Sequence, residues 1–376
     1  MDKTRIVELY DAGQSAWLDQ ISRPLIEKGG LEEMIALGLK GITSNPTIFD
    51  KAISKGSDYD QKIKESAAQG LSTFEIYDNL TVKDIQEAAD LLSVVYNESN
   101  RKDGYVSLEV NPQLAYNTEE TIEEAKRLWT KVKRPNLMLK IPATEEGFRA
   151  IEEILAQGMN VNATLIFSLE QYKKTAASYM NGLKRFLEIG GQLKNLHSVA
   201  SVFVSRIDSV IDRFLDEMII DSSDQEKVNL ELLKGKAAVS NSKLIYKEYL
   251  DIFSSNQFKS LKQRGANLQR VLWASTSTKS PAYSDIKYVT ELIGKNTVNT
   301  LPEATFQAFL DHGVANISLD GDILGAKSIV DSLGSLGIDL NQVCQELLEK
   351  GVIAFQGSFD SLLQTIDIKE KELCRK

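Results

Sequence analysis

Residues 137–167 read LMLKIPATEEGFRAIEEILAQGMNVNATLIF, and this stretch predicts a strand, a helix and a second strand in succession. Two apolar runs, Leu137–Ala143 and Asn160–Phe167, have the length of buried strands. Between them, Thr144 is followed by two glutamates, which is typical of a helix start, and the apolar residues after it recur at core-facing spacing: Phe148, Ile151, Ile154 and Leu155. A strand, a crossover helix and a further strand are the unit of a parallel sheet.

The same alternation of a β-like run and a helical stretch repeats along the whole chain. Asn117, and Ser168 with Gln171 three residues later, predict two more helix starts. The eight β-like runs are Ser15–Ile21, Gly38–Asn45, Tyr105–Asn111, Leu137–Ala143, Asn160–Phe167, Ser198–Ser205, Arg270–Ser275 and Thr297–Leu301. Eight is the number of strands in a closed (β/α)8 barrel. The sequence therefore predicts the α/β class, as a (β/α)8 TIM barrel with additional helices.

The chain is longer than a minimal barrel. It has 376 residues, whereas a barrel needs about 250, which leaves roughly 126 to be placed elsewhere. Length alone would also suit two domains. The surplus falls instead in three helical stretches, 46–100, 206–269 and 303–376. We therefore expect a single domain over 1–376, with a barrel core at about 15–302 and a C-terminal helical extension at about 303–376.

Composition excludes several classes of protein. Acidic residues outnumber basic ones by 53 to 44, and no dense Lys/Arg tract occurs, so a nucleic-acid or anionic-membrane partner is disfavoured. The two cysteines, Cys344 and Cys374, and the two histidines, His197 and His312, are too few for a disulfide framework or a Cys/His zinc site. No apolar run approaches the length of a membrane span, and no signal-peptide pattern is seen. We expect a cytoplasmic protein.

Polar residues occur toward the C-terminal ends of five runs, at positions that alternate with apolar ones: Asp19, Asn45, Glu109, Lys140 and Thr164. TIM-barrel active sites are built at that end of the strands. Barrel interiors also hold paired polar groups without catalytic roles, and for any one Ser, Thr or Asn this is the simpler interpretation. Lys140 differs, because lysine is almost never buried without a partner and this one lies within an apolar strand.

A desolvated lysine suggests Schiff-base chemistry, because burial favours the neutral, nucleophilic amine. In that chemistry the amine attacks a ketone, and the resulting iminium accepts electrons from a neighbouring C–C bond. The site also needs an acid, a base and groups that hold the intermediate. Residues of the right types are Glu109, Asp19, Asn45, Asn162 and Thr164.

Four segments resemble the transaldolase family. GITSNPTIF at 41–49 resembles the family's first signature, and NLMLKIPA at 136–143 resembles its active-site lysine signature. NVNATLIFS at 160–168 and SVFVSR at 201–206 also match in order. The resemblance covers residues 15 to about 300 and is closest to the longer bacterial type. It implies a TIM barrel.

The resemblance also implies a transferase activity. A dihydroxyacetone unit would pass from sedoheptulose 7-phosphate or fructose 6-phosphate to glyceraldehyde 3-phosphate or erythrose 4-phosphate, in the non-oxidative pentose phosphate pathway. The substrates would be small sugar phosphates. No metal or organic cofactor is expected, because the lysine itself provides the electron sink. All candidate residues come from one chain, so either a monomer or a homodimer is compatible with the chemistry.

The resemblance assigns four residues to the chemical steps. Lys140 would be the Schiff-base nucleophile. Glu109 would act as acid and base through a water positioned by Thr164, during carbinolamine formation and dehydration. Asp19 would take the proton of the C4 hydroxyl, which starts retro-aldol cleavage. Asn45, Asn162 and Ser201 would hydrogen-bond the dihydroxyacetone moiety, so that the enamine is not hydrolysed.

Arg206 would bind the substrate phosphate. Taken alone, Arg206 could equally be a surface arginine paired with Asp208 or Asp212, but Ser201 stands before it at the family's spacing, and this favours phosphate.

The segment after the seventh strand departs from the family's usual pattern. Many transaldolases have Ala-Ser-Phe-Arg there, whereas this chain has ASTSTK at 274–279. Ser275 aligns directly, and Ser277 occupies the arginine position. Lys279 would supply the positive charge two residues later. It is the weaker assignment, because lysine binds phosphate as a point charge rather than as a fork.

Two other functions remain open at this point. A class I fructose 6-phosphate aldolase would use the same lysine and release free dihydroxyacetone. A non-catalytic barrel would instead use its extra helices as an interaction module.

Overall fold

The computed structural model describes residues 3–374 and contains a closed barrel of eight parallel strands in chain order. The last strand pairs with the first along its whole length, from Gln14 opposite Thr297 to Leu18 opposite Leu301, and this pairing closes the barrel. The strands are β1 Gln14–Leu18, β2 Gly41–Thr43, β3 Tyr105–Glu109, β4 Leu137–Pro142, β5 Val161–Ile166, β6 Ser198–Phe203, β7 Arg270–Ala274 and β8 Thr297–Leu301. The prediction of a (β/α)8 TIM barrel is confirmed.

Helices surround the barrel and fill the three surplus stretches. The first nine are α1 Arg5–Asp11, α2 Arg23–Glu27, α3 Gly30–Leu37, α4 Pro46–Ser54, α5 Asp60–Ala68, α6 Thr73–Leu91, α7 Ser93–Glu98, α8 Thr118–Val132 and α9 Glu145–Ala156. The others are α10 Leu169–Glu188, α11 Ser205–Ile220, α12 Asp224–Glu231, α13 Ala237–Ser254, α14 Asn256–Gln263, α15 Lys287–Thr290, α16 Glu303–His312, α17 Ile323–Ser335 and α18 Leu340–Cys374. Two 3₁₀ turns occur at Pro112–Leu114 and Leu193–Asn195. No helix between residues 3 and 374 is long and apolar enough to cross a membrane.

Local capping signals place the helix starts where the sequence predicts them. The side chains of Asn117 and Thr144 accept hydrogen bonds from backbone N–H groups in the first turns of α8 and α9. Ser168 and Gln171 form the predicted reciprocal capping box at the start of α10. Each such bond satisfies a helix N–H that has no partner within the helix.

Some strands are shorter than predicted, because their last polar residues serve the following turn. β2 ends at Thr43, and Asn45 caps α4 instead of continuing the strand. β3 ends at Glu109, and the side chain of Asn111 caps the next 3₁₀ turn. A proline follows each of these asparagines, and proline cannot donate a ladder hydrogen bond but suits the first position of a helix.

Leu165 breaks the two-residue alternation of β5. Strict alternation along the run Asn160–Phe167 would set Leu165 on the outer face with Val161 and Ala163, but the pairing with β6 shifts register between Ala163 and Ile166. Leu165 has a φ of +59°. Its side chain lies against Gly351 of α18, so closely that a β-carbon added to this glycine would stand 3.1 Å from Leu165 Cδ2. A bulge of this kind re-aims a side chain at the rim of a barrel.

Helix α18, which has 35 residues, packs across the C-terminal ends of the strands. Ser358 accepts a hydrogen bond from Thr47 of α4 (2.8 Å), and Lys369 forms an ion pair with Asp60 of α5 (2.6 Å). The ring of Phe355 lies 5.7 Å from the Lys140 amine. The apolar residues that α18 buries are Leu340, Val343, Cys344, Leu347, Leu348, Val352, Phe355, Phe359, Leu362 and Ile366. The C-terminal helix therefore covers the end of the barrel at which the strands terminate.

A buried ion pair closes the opposite end of the barrel. Arg270, the first residue of β7, reaches Asp103 at 2.7 Å, and both side chains are almost inaccessible to water. Asp103 also accepts hydrogen bonds from Ser15 Oγ (2.9 Å) and Trp17 Nε1 (3.1 Å). Both carboxylate oxygens are thus satisfied, which offsets the cost of burying the charge.

We expect Phe359→Ala to lower the free energy of unfolding by about 3–5 kcal/mol, because it leaves a cavity between α18 and α6. Phe359 is 3% exposed and meets Tyr77 edge to face at 5.2 Å between ring centroids. Ile353→Ala on the same helix is the matched control, since Ile353 is 65% exposed and its loss should change stability by less than about 0.5 kcal/mol. Urea unfolding of both variants measures the difference. Equal stabilities would show that α18 does not contribute to the core.

Candidate active site

A cavity of about 360 Å³ lies at the C-terminal ends of the strands. Seven of the ten predicted site residues line it: Asp19, Asn45, Lys140, Ser201, Arg206, Ser275 and Lys279. Glu109, Asn162 and Thr164 are buried and do not line it. Two of these three nevertheless contact residues that do, because Glu109 pairs with Lys140 and Asn162 is bonded to Ser201.

The centre of the site is a buried pair formed by Lys140 and Glu109. The two residues are direct neighbours in the register of β4 and β3, and Lys140 Nζ lies 3.3 Å from Glu109 Oε2. The lysine amine also donates to the carbonyl oxygen of Ser44 (3.1 Å). The side chains of both partners are 4% exposed. The amine is therefore held at a fixed position away from bulk water.

Burial dominates the protonation of Glu109. It raises the pKa of the carboxyl to about 7, although the nearby Lys140 charge acts in the opposite direction. Glu109 Oε2 and Thr164 Oγ1 are both buried, and neither makes a well-aligned hydrogen bond within residues 3–374, although Glu109 Oε2 is ion-paired with Lys140 Nζ at 3.3 Å. No hydrogen bond joins Glu109 to Thr164 directly. The carboxyl can give or take a proton near neutral pH, as an acid–base group must.

Asp19 lies just beyond the end of β1, at the mouth of the barrel. Its carboxylate accepts a hydrogen bond from Thr43 Oγ1 (2.8 Å), and the Thr43 hydroxyl lies 2.6 Å from that of Thr300. The backbone N–H of Asp19 donates to Leu301 (2.8 Å), so the residue is held from two strands. Burial raises the pKa of Asp19, and the Lys140 charge opposes this effect.

Two asparagines have part of their hydrogen-bonding capacity already used. Asn162 accepts from Ser201 Oγ (2.6 Å) and donates to Ser107 Oγ (3.0 Å). Asn45 accepts from the backbone N–H of Ile48 at the start of α4 (3.0 Å), which leaves its amide N–H groups for a ligand. Ser107 was not among the predicted site residues. The alternation of β3 could have identified it, because Ser107 lies on the same face as Glu109.

The structure contradicts the surface ion pairs considered for Arg206. Asp208 accepts from the Tyr288 hydroxyl and the Ala238 N–H, and Asp212 accepts from the Tyr283 hydroxyl and the Gly235 N–H. Among the described residues, Arg206 forms no ion pair and lines the cavity. Burial lowers the pKa of its guanidinium, and Asp19 opposes that shift.

Arg206, Lys279 and Lys51 form a group of positive charges at the cavity. Lys279 Nζ donates to Ser277 Oγ (2.6 Å), and its pKa is lowered by burial and then by repulsion from Arg206 and Lys51. Sequence reasoning missed Lys51. Helical spacing could have found it, because Thr47, Ile48 and Lys51 lie on one face of α4 and all line the cavity.

Ser275 joins the end of β7 to the helix that carries Arg206. Its backbone oxygen accepts from the N–H of Ser205 (3.1 Å), and the two hydroxyls are 3.1 Å apart. Ser275 adopts a left-handed backbone with a φ of +54°, which is uncommon for a residue with a side chain.

Within residues 3–374, no three or more His, Cys, Asp or Glu side chains are grouped so that they could hold a metal ion.

Comparison with known proteins gives a consistent result. The family model described as Transaldolase/Fructose-6-phosphate aldolase matches residues 16–366. A protein of Saccharopolyspora erythraea named Transaldolase is 47% identical over 95% of both chains. Proteins of the same name from Trichodesmium erythraeum and Mycobacterium bovis are 44% identical, over 99% of both chains and over 96% of this chain and 95% of the relative, respectively.

We expect Glu109→Gln to change how stability depends on pH. The carboxyl of wild type has a pKa of about 7 when folded and an ordinary value of 4.5 when unfolded, so the folded state binds more protons between these pH values. The free energy of unfolding of wild type should therefore fall as pH rises through this window, by up to about 3 kcal/mol relative to Glu109→Gln.

Thermal unfolding from pH 4.5 to 8 measures this difference. The quantity to compare is the slope of stability against pH. Replacing Glu109 also leaves Lys140 without its partner, which lowers the stability of the variant by a constant amount and does not affect this comparison. Glu32→Gln, on the exposed side of α3, is the control and should follow wild type. Parallel curves for wild type and Glu109→Gln would contradict the raised pKa.

Proposed function

We propose a mechanism from one premise: the chain belongs to the transaldolase/fructose-6-phosphate aldolase family and is a transaldolase, an enzyme of the transferase class. It would transfer a dihydroxyacetone unit from sedoheptulose 7-phosphate or fructose 6-phosphate to glyceraldehyde 3-phosphate or erythrose 4-phosphate. The observation that carries the mechanism is the buried Lys140 amine beside Glu109 at the mouth of the barrel. The non-oxidative pentose phosphate pathway and a cytoplasmic location belong to the same proposal.

Lys140 forms the covalent bond to the substrate. Its neutral amine attacks the ketone carbon, a C–N bond forms, and the carbonyl oxygen takes a proton to give a carbinolamine. The C–O bond then breaks, and water leaves with a proton supplied by Glu109. The pair supports this role, because the proton that Lys140 must lose and the proton that the leaving oxygen must gain can both pass through a carboxyl whose pKa is about 7.

Thr164 positions the water through which Glu109 acts. The support is that Thr164 Oγ1 is a buried polar atom with no hydrogen bond among the described residues, and that Glu109 Oε2 makes no well-aligned hydrogen bond there beside its 3.3 Å ion pair with Lys140. Such atoms in a protein interior are usually satisfied by an ordered water. A hydroxyl and a carboxylate oxygen can each bond one water, which then carries the proton.

Asp19 starts the cleavage step. It takes the proton of the C4 hydroxyl, the C3–C4 bond breaks, and its electrons move into the iminium to give an enamine on Lys140. The aldose phosphate leaves, and the steps run in reverse when the acceptor aldehyde enters. Thr43 and the Leu301 carbonyl support this role, because they hold the Asp19 side chain and backbone in place.

Asn45, Asn162 and Ser201 hold the dihydroxyacetone unit between the two half-reactions. The amide oxygens of both asparagines already accept protein hydrogen bonds, so their remaining N–H groups face the hydroxyls of the substrate. An enamine that these hydrogen bonds hold in place persists until the acceptor aldehyde binds. An enamine without them is protonated by water, and dihydroxyacetone is then released. This difference separates a transferase from an aldolase.

Arg206 and Lys279 bind the substrate phosphate, and we add Lys51 to this set. The charges of the three residues repel one another, and a dianionic phosphate would relieve that repulsion. Ser275 and Ser277 provide neutral donors beside them. Replacement of the family's usual arginine by Ser277 is compensated here by two lysines from different elements.

The aldolase alternative is not favoured, because the similar full-length relatives are named transaldolases. Product analysis distinguishes the two activities. Free dihydroxyacetone released from fructose 6-phosphate without an acceptor, at a rate matching the transfer reaction, would support the aldolase. A non-catalytic barrel would show neither reaction.

We expect a covalent adduct on Lys140 when the enzyme is incubated with fructose 6-phosphate and borohydride, because borohydride reduces the iminium to a stable amine. Peptide mapping by mass spectrometry locates it. Lys140→Arg should be folded but give no adduct, since arginine stays protonated. An adduct on another lysine, or none in wild type, would refute the mechanism.

Asp19→Asn should lower kcat by roughly 10²–10⁴-fold, because an amide cannot accept the C4 hydroxyl proton. The variant should still form the borohydride adduct, since the Schiff base precedes cleavage. Steady-state kinetics and adduct yield together test this separation. Loss of the adduct along with turnover would instead assign Asp19 to the first step.

Lys51→Ala should raise KM for fructose 6-phosphate roughly tenfold or more, because one charged phosphate contact is worth about 1.5–3 kcal/mol. The effect on dihydroxyacetone donors that lack phosphate should be small. Arg206→Ala should behave in the same way. Lys55→Ala, at the end of the same helix and outside the cavity, is the matched control. Equal effects on phosphorylated and unphosphorylated donors would exclude Lys51 as a phosphate ligand.

A further inference from the structure

A second cavity, of about 240 Å³, lies at the opposite end of the barrel from the active site. The first residues of three strands border it: Tyr105 of β3, Ser198 of β6 and Arg270 of β7. Helix α14 contributes Lys262, and the loop before β3 contributes Lys102. We call this space the floor cavity. Neither the catalytic steps nor the family comparison assigns it a role.

The charge of the floor cavity is entirely positive. Lys102, Lys262 and Arg270 line it, and no Asp or Glu is among the described residues that do. Arg270 is compensated by its buried pair with Asp103. Lys102 and Lys262 form no ion pair with any carboxylate in residues 3–374. Two uncompensated ammonium groups at one cavity are notable in a chain whose net charge is −9.

Lys102 is near enough to the buried Arg270 for its protonation to respond to the arginine charge. The pKa of Lys102 is lowered by burial and then by repulsion from Arg270. An anion bound in the cavity would relieve this repulsion, as phosphate does at other Lys and Arg clusters.

Neutral polar groups complete the lining. His197 is 8% exposed, and its Nε2 lies 3.3 Å from Asn267 Nδ2. Burial and the Arg270 charge lower the pKa of His197 to about 4, so the ring is neutral at physiological pH. Ser198, Asn100 and Asn296 add hydroxyl and amide groups. The Ser198 hydroxyl already donates to the Val161 carbonyl (2.7 Å), and the Asn267 amide to main-chain oxygens, so the neutral donors left for a ligand are the amides of Asn100 and Asn296. The net charge of the cavity comes from the two lysines.

We propose that the floor cavity binds a small phosphorylated metabolite, with the phosphate held by Lys102 and Lys262. A phosphate dianion matches the two uncompensated charges, and the small volume suits a short-chain phosphate ester rather than a nucleotide. The proposal does not rest on the catalytic mechanism above, because it uses none of the same residues.

The floor cavity is also close to the catalytic residues. Met138 and Val199 line it, and each lies two residues before an active-site residue of the same strand, Lys140 and Ser201. Two residues along a strand span roughly 7 Å. The variants for the test are therefore taken from the rim of the cavity, so that this shared layer stays intact.

Binding of inorganic phosphate to the full chain tests the proposal, by isothermal titration calorimetry at fixed ionic strength. The titrations use Arg206→Ala, in which one of the three proposed active-site phosphate contacts is removed; Lys51 and Lys279 remain, so the substitutions below assign the remaining site. In this background we compare Lys102→Gln/Lys262→Gln with Lys259→Gln. Lys259 lies on α14 one turn before Lys262 and is outside the cavity, so Lys259→Gln removes one positive charge from the same helix, as Lys262→Gln does. The main-chain oxygen of Lys102 that Arg270 binds is unchanged by the substitution.

We expect Arg206→Ala to retain one phosphate site per chain. The added Lys102→Gln/Lys262→Gln pair should weaken that site at least tenfold, and Lys259→Gln should leave it within twofold. Thermal unfolding should show that all three variants are folded. No phosphate binding by Arg206→Ala, or equal weakening by the double and control substitutions, would overturn the proposal. A crystal grown in phosphate should show the anion between Lys102 and Lys262, and density elsewhere only would likewise overturn it.

Discussion

The burial of the Lys140 amine beside Glu109 is the constraint on which the rest of the structure depends. Two opposite charges removed from water are costly unless their geometry is held closely. The parallel register of β3 and β4 supplies that geometry, because it sets the two residues side by side on the inner face of the barrel. Helix α18 shields the pair from water, because it packs over the strand ends and brings the Phe355 ring close to the Lys140 amine. The barrel and its C-terminal helix together therefore keep the Lys140 side chain out of water.

The two ends of the barrel treat buried charge differently. At the floor, Asp103 has both oxygens satisfied by Ser15, Trp17 and Arg270, as expected of a group that only stabilises the fold. At the mouth, Glu109 Oε2 makes no well-aligned hydrogen bond beside its ion pair with Lys140, and the pKa of the carboxyl is raised to about 7. Hydrogen bonds to both oxygens stabilise the ionised form of a carboxylate. A buried carboxylate with fewer hydrogen bonds takes up a proton more easily. The two buried pairs therefore differ in how fully their carboxylates are hydrogen-bonded.

Several features of the site were readable from sequence because they are local. Strand alternation placed Glu109 and Lys140 on the inner face, and capping signals placed the starts of α8, α9 and α10. Other features escaped the same reasoning. Leu165 leaves its predicted face at a bulge, which depends on pairing with β6 and on space beside α18. The hydrogen bonds of Asn162 with Ser107 and Ser201 form only when three strands, β5, β3 and β6, come together.

The sequence by itself determined the order of strands and helices, the polar residue at each strand end and the family, because periodicity, capping and signatures act over a few neighbouring residues. Only the tertiary structure decided that Lys51, Arg206 and Lys279 share one cavity, and that Arg206 forms no ion pair with Asp208 or Asp212. These residues come from segments far apart in the chain. Their charges act through space and not along the backbone, so barrel closure must bring them together before they can act on one another.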